Sequence, residues 1–152
     1  MRLNTGKICL FSLAALVLFA TSTLAASHHQ LNGTWILDPT RSEFAGEPAI
    51  QTGTVTINDR QHNIYISRNF DFDGQKQTYE YSFSTDGRES ATIHQGENFK
   101  SKAKWDGDVL KVTTEHNGST IVERYSLEPD GSLMLVVERP EHRVITLFFH
   151  RP

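Results

Sequence analysis

Two arginines, a glutamate and three tyrosines recur at every second position of segments that are otherwise apolar. Arg68 stands in the series Ile64, Ile66, Arg68, Phe70, Phe72. Tyr79 and Tyr81 lead to Phe83, Glu123 and Tyr125 follow Ile121, and Arg139 follows Leu135 and Val137. Along a β-strand a step of two keeps side chains on one face, so each of these polar groups shares a face with core residues. A guanidinium placed there can hold the carboxylate, phosphate or enol of a small amphipathic ligand while Tyr79, Tyr81, Phe83 and Trp105 pack its apolar body. It can equally close on a protein carboxylate, since a buried charge is costly unless paired. Aligning strands across Pro129-Asp130-Gly131 sets Arg139 diagonal to Glu123, and that pair is the structural reading of the same residues.

Other constellations carry less. The stretch NFDFDGQKQTYE, Asn69 to Glu80, resembles a calcium loop in its acidic and amide positions, its Gly74 and its final glutamate. If Asp73-Gly74 is a hairpin turn, however, Glu80 lies six residues beyond it, about 20 Å away at the usual strand rise, and cannot return to join Asp71 and Asp73. His28 becomes the third residue of a chain cut after Ala25. A third-position histidine, a free amine and two backbone amides can make a square-planar site for Cu(II) or Ni(II). Apart from His29 beside His28, the remaining histidines, His62, His94, His116, His142 and His150, show no ligand spacing. No Gly-x-Ser-x-Gly, His-Glu-x-x-His or phosphate loop is present, which leaves for catalysis only a site assembled from several strands.

The elements that must position these groups are strands. Asn58-Asp59, Asp73-Gly74, Asp86-Gly87, Gln95-Gly96, Asp106-Gly107, Asn117-Gly118 and Asp130-Gly131 punctuate the chain at intervals of about 10 to 15 residues, with segments rich in Val, Ile, Thr, Tyr and Phe between them. No window holds a helical period. This predicts one all-β domain, an antiparallel up-and-down meander of about ten strands.

Register can be assigned hairpin by hairpin, because a slip of one residue turns every side chain to the other face. A two-residue turn at Asp73-Gly74 sets Ile64, Ile66, Arg68, Phe70 and Phe72 beside Gln75, Gln77, Tyr79, Tyr81 and Phe83. The Asp106-Gly107 turn sets Phe99, Ala103 and Trp105 beside Leu110 and Val112, with Lys100, Lys102 and Lys104 in water. At Asp86-Gly87 a three-residue loop with a bulge is expected, turning Ala91 and Ile93 inward. The last segments, SLMLVVER and RVITLFFH, are apolar on both faces and call for an outer cover: the N-terminal segment, a strand closing the barrel, or a second copy in a homodimer. Closure into a barrel removes exposed edges.

Upstream, Arg2 and Lys7 precede an apolar run of about 13 residues, Ile8 to Ala20, the length of a signal-peptide core and short of a spanning helix. Small residues at Thr23 and Ala25 suit cleavage after Ala25. The expected organisation is a signal peptide at 1–25, a flexible N-terminus at 26–30 and a barrel at 31–152, exported to the periplasm or beyond. Cys9, the only cysteine, leaves with the signal, so the domain folds without disulfides. Losing Arg2 and Lys7 from 15 basic residues leaves 13 against 18 acidic, a net charge of −5 that offers nucleic acid no footprint.

The opening NGTWILDPTRSEF adds a resemblance. Gly33-Thr34-Trp35 resembles the Gly-x-Trp of lipocalins and fatty acid-binding proteins. With Leu37-Asp38, Arg41-Ser42 and Phe44, the pattern resembles a group of small exported bacterial lipocalin-like proteins. The resemblance implies a barrel with an internal cavity, and a structural role for Trp35 as the plug of one end. The chain departs from the typical families: it has no Thr-Asp-Tyr motif, no C-terminal Arg-x-Tyr clamp, and too few residues between Asp38 and Ile50 for a helical lid. The expected function is a carrier or sensor of a small apolar or amphipathic molecule in the cell envelope. The alternative is a protein-interaction module, an assembly factor or inhibitor, with a solid core.

Overall fold

The computed structural model describes residues 28–152 apart from Gln95. The expected signal peptide and its cleavage site lie outside the described residues. A short 3-10 turn, His28–Leu31, leads into ten strands: β1 Gly33–Glu43, β2 Thr52–Arg60, β3 Asn63–Phe72, β4 Gln75–Ser84, β5 Asp86–His94, β6 Glu97–Asp106, β7 Val109–His116, β8 Ser119–Leu127, β9 Leu133–Arg139 and β10 Arg143–His150. Three residues of the stretch expected to be flexible, His28 to Gln30, belong to that 3-10 turn.

All ten strands form one antiparallel sheet in the order β4-β3-β2-β1-β10-β9-β8-β7-β6-β5. Pairing of β1 with β10 joins the two ends of the meander. The turns explain the register. Asp73 and Gly74 both take positive φ, 56° and 83°, as the type I′ turn between β3 and β4 requires. Ile64 therefore faces Phe83, Ile66 faces Tyr81 and Arg68 faces Tyr79, as the alternation predicts. Likewise Val112 pairs with Glu123 and Leu110 with Tyr125 across Asn117-Gly118.

The sheet is not closed where the sequence suggests another hairpin. β4 and β5 are its two edges, separated only by Thr85. The Thr85 N–H donates to the His62 carbonyl at 2.8 Å, while the Asp86 carboxylate accepts the Ser84 hydroxyl at 2.7 Å and the Arg88 N–H at 3.0 Å. The Asp86-Gly87 dipeptide thus opens β5 at a corner, with Asp86 paired to Lys104 of β6, and closes no β4–β5 hairpin. The irregularity falls between Asp86 and Glu89 in the β5–β6 pairing, and Ala91, expected inside, pairs with Lys100 and is exposed.

One end of the barrel is filled. Trp35, Leu31, Tyr125, Leu133 and Phe149 are buried. The Trp35 indole donates to the Leu31 carbonyl at 2.9 Å. Arg151 lies 3.7 Å over the Trp35 ring and donates to the carbonyls of Asn32 (2.6 Å) and Gln30 (3.0 Å). Within the sheet, β10 is flanked by β1 and β9. Met134, Val136 and Phe148 are half-buried, with the Arg41 guanidinium 4.6 Å from the Phe148 ring. Val144 is exposed.

Candidate functional site: a cavity over a buried ion pair

The opposite end is hollow. A cavity of about 240 Å³ opens between the β1–β2 connection and the inner faces of β3, β4, β8, β9 and β10. A smaller one of about 150 Å³ adjoins it toward the β4 and β5 edges, sharing Tyr79, Tyr81, Ile121 and Glu123 and adding Phe83 and Phe99.

The floor between them is an ion pair. Arg68, on β3, is buried among apolar residues, and its two terminal nitrogens donate to the two oxygens of Glu123, on β8, at 2.9 and 2.7 Å. This is the bidentate fork that makes arginine–carboxylate pairs strong. Arg68 also donates to the Tyr125 hydroxyl, and its charge lies 5.1 Å from the Tyr81 ring centroid. Burial alone would lower the guanidinium's pKa, but the charge and hydrogen bonds of Glu123 outweigh it and hold the group firmly protonated. Burial pushes the Tyr81 phenol up, with Arg68 opposing and Glu123 adding to the rise.

The pairing differs from the sequence expectation. Glu123 is bonded to Arg68 and not to Arg139. Arg139 is the last residue of β9, at the rim, where it lies 3.6 Å from Glu47. A diagonal neighbour in the sheet was the nearest cation the sequence could offer, but the short cross-barrel distance from β3 brings in another. The rim itself is a strap. The connection between β1 and β2 turns at Ala45 and Gly46, both at positive φ, and the Glu47 N–H closes that turn on the Phe44 carbonyl at 2.9 Å. Phe44, Pro48 and Ile50 line the cavity from this strap, and Glu47 is bonded to Arg143, the first residue of β10, at 2.6 Å. The sequence carried no signal for Glu47, because its partners sit at the far end of the chain.

Of the residues singled out as ligand contacts, Arg68, Tyr79, Tyr81, Glu123 and Arg139 line the larger cavity, and Phe83 the smaller. Tyr125 is fully buried beside Arg68. Trp105 is elsewhere: it lies beside the β6–β7 turn at the filled end, stacked on His28 with ring centroids 4.0 Å apart. A copper or nickel site at His28 would draw on residues outside those described. Among the described residues no cluster of His, Cys, Asp or Glu could hold a metal ion, and Glu80 pairs with Ser67, well away from the Asp73 turn.

No protein-family model matches the sequence, and no curated protein matches it. Solved structures do match. A "REP1-NXSQ fatty acid transporter" is 21% identical, with 80% of this chain and 96% of that one covered and a TM-score of 0.64. Fatty-acid-binding protein 1 of Echinococcus granulosus is 14% identical, with 81% and 98% covered and a TM-score of 0.65. Human cRBP IV is 22% identical, with 80% and 98% covered and a TM-score of 0.62. The likeness is one of fold: the chain forms a ten-stranded antiparallel barrel similar to calycin barrels of the fatty-acid-binding-protein kind.

Proposed function

We propose that this protein is an exported carrier that holds a small apolar or amphipathic molecule inside its barrel, in the cell envelope. The observation that carries the proposal is the cavity. A barrel that packs one end solid with Trp35, Leu31 and Phe149 leaves the other hollow, and lines it with Phe70, Tyr81, Leu135 and Leu147 around the Arg68–Glu123 pair, with Glu47 and Arg139 at the rim. Apolar walls with a few fixed polar groups are what small-molecule sites consist of. At about 240 Å³ the space sits just below the range of roughly 300–1,000 Å³ usual for such sites, so the ligand is compact or the strap shifts to admit it. Export rests on the N-terminal sequence pattern.

Native mass spectrometry of the protein, purified from its own cells without detergent, tests the proposal. A reproducible extra mass of lipid or small-metabolite size, lost on denaturation, is the expected result. A bare protein that also fails to take up the neutral dye Nile red would contradict it.

A further inference from the structure

We propose that Glu123 makes this cavity selective for uncharged amphipaths, an alcohol or an ester in place of a carboxylate. The inference rests on the carrier reading above and assigns the chemical class of its ligand.

The argument begins with what Arg68 has left to offer. A guanidinium has five N–H groups. Three are engaged by Glu123 and Tyr125, and the one on Nε is buried without a partner. Of the two that remain, the Nε one is sealed inside the barrel, so the pair presents a ligand with no net charge and at most one reachable donor.

The rest of the lining repeats the cancellation. Among the described residues, the charged ones lining the larger cavity are Arg68, Glu123, Arg139 and Glu47, two of each sign; Glu123 pairs with Arg68, and Glu47 lies beside Arg139 and also beside Arg143, which is outside the lining. A carboxylate entering this space gives up its hydration. Its attraction to Arg68 is offset by repulsion from Glu123, whose oxygens lie within 2.9 Å of the same guanidinium. An ammonium meets the mirror-image difficulty. A hydroxyl or ester carbonyl carries no charge to desolvate and can use the remaining Arg68 donor or a tyrosine hydroxyl of the lining.

Displacement of Nile red by decanol, decanoate and decylamine at neutral pH tests this, since the three share one chain and differ in charge. Wild type is expected to bind decanol at least about tenfold more tightly than either ion. A bare apolar pocket would also favour the alcohol, so the deciding comparison is Glu123→Gln. That variant keeps a hydrogen-bonding side chain and frees the Arg68 charge. It should gain about tenfold for decanoate relative to decanol and gain nothing for decylamine. Decanoate binding to wild type as tightly as decanol would overturn the inference without any variant. An unchanged decanoate-to-decanol ratio in folded Glu123→Gln would overturn it too. Failure of decanol to displace bound dye from wild type would overturn the inference as well, whereas failure of wild type to take up the dye at all would overturn the carrier reading itself.

Discussion

Arg68 and Glu123, 55 positions apart in sequence and on strands that are not neighbours in the sheet, meet through two parallel hydrogen bonds of 2.9 and 2.7 Å inside the barrel. Their side chains are 9% and 14% exposed, so neither charge can be left to water. Breaking a buried pair costs more than replacing it. Arg68→Met is expected to destabilise the protein by about 3 kcal/mol, because Glu123 is left uncompensated, and adding Glu123→Leu should recover much of that loss. Urea unfolding of both singles and the double closes the cycle; a double variant no more stable than Arg68→Met would contradict it.

The Tyr81 phenol gives the pair a spectroscopic reporter. Its pKa is raised, first by burial and further by Glu123, against the pull of Arg68. A group that holds its proton more tightly when folded contributes stability that is intact below its unfolded pKa, roughly 10, and is lost as pH rises through the folded value. Stability should therefore decline above about pH 10, and Tyr81→Phe should flatten that decline. In an alkaline titration of phenolate absorbance, Tyr81→Phe should remove a late-titrating component. Loss of an ordinary tyrosine component instead would show that the phenol is not shielded.

Glu47 holds the strap to the β9–β10 hairpin through Arg143 at 2.6 Å and Arg139 at 3.6 Å. The Arg139 and Arg143 side chains are 42% and 49% exposed, so solvent screens the bonds and they are worth at most about 1 kcal/mol to stability. Their expected effect is on exchange. Glu47→Ala should speed release of Nile red with little change in unfolding midpoint, and added salt should speed release from wild type in the same direction. Equal release rates in both proteins at low salt would show that ligand leaves by another route.

Much of this barrel was legible because glycine-containing turns fix register, and register fixes faces. Positive φ at Asp73 and Gly74 is enough to send Arg68, Tyr79 and Tyr81 inward together. What alternation does not contain is distance across the barrel. It placed Arg68 and Glu123 on the inner face but had no means of making them partners, and so favoured Arg139, which the strand order carries out to the rim. Asp86-Gly87 was misleading for a related reason. The dipeptide supplies a bend, but whether the flanking strands then pair depends on their other neighbours, and here Thr85 is tied to His62. Arg151, stacked on Trp35, was also missed, since it lies past the last residue of β10 and outside its alternation.

Arg151 supplies a control at the filled end. Gly33 has φ of 119°, and a Cβ there would collide with the Arg151 guanidinium. Arg151→Ala removes a stacked cation and two hydrogen bonds to carbonyls, and should cost about 1–2 kcal/mol. Because the cavity lies at the other end, affinity for Nile red should be unchanged. A parallel loss of affinity would mean that the two ends are coupled.

The most direct test of an internal binding site is amide chemical-shift mapping of the ¹⁵N-labelled protein titrated with decanol. Saturable shifts are expected at Arg68, Tyr79, Tyr81, Ile121, Glu123 and Val137, with Trp35, Trp105 and Leu110 still. Shifts confined to outward-facing residues such as Val136, Val144 and Phe148, or none at saturating decanol, would contradict it.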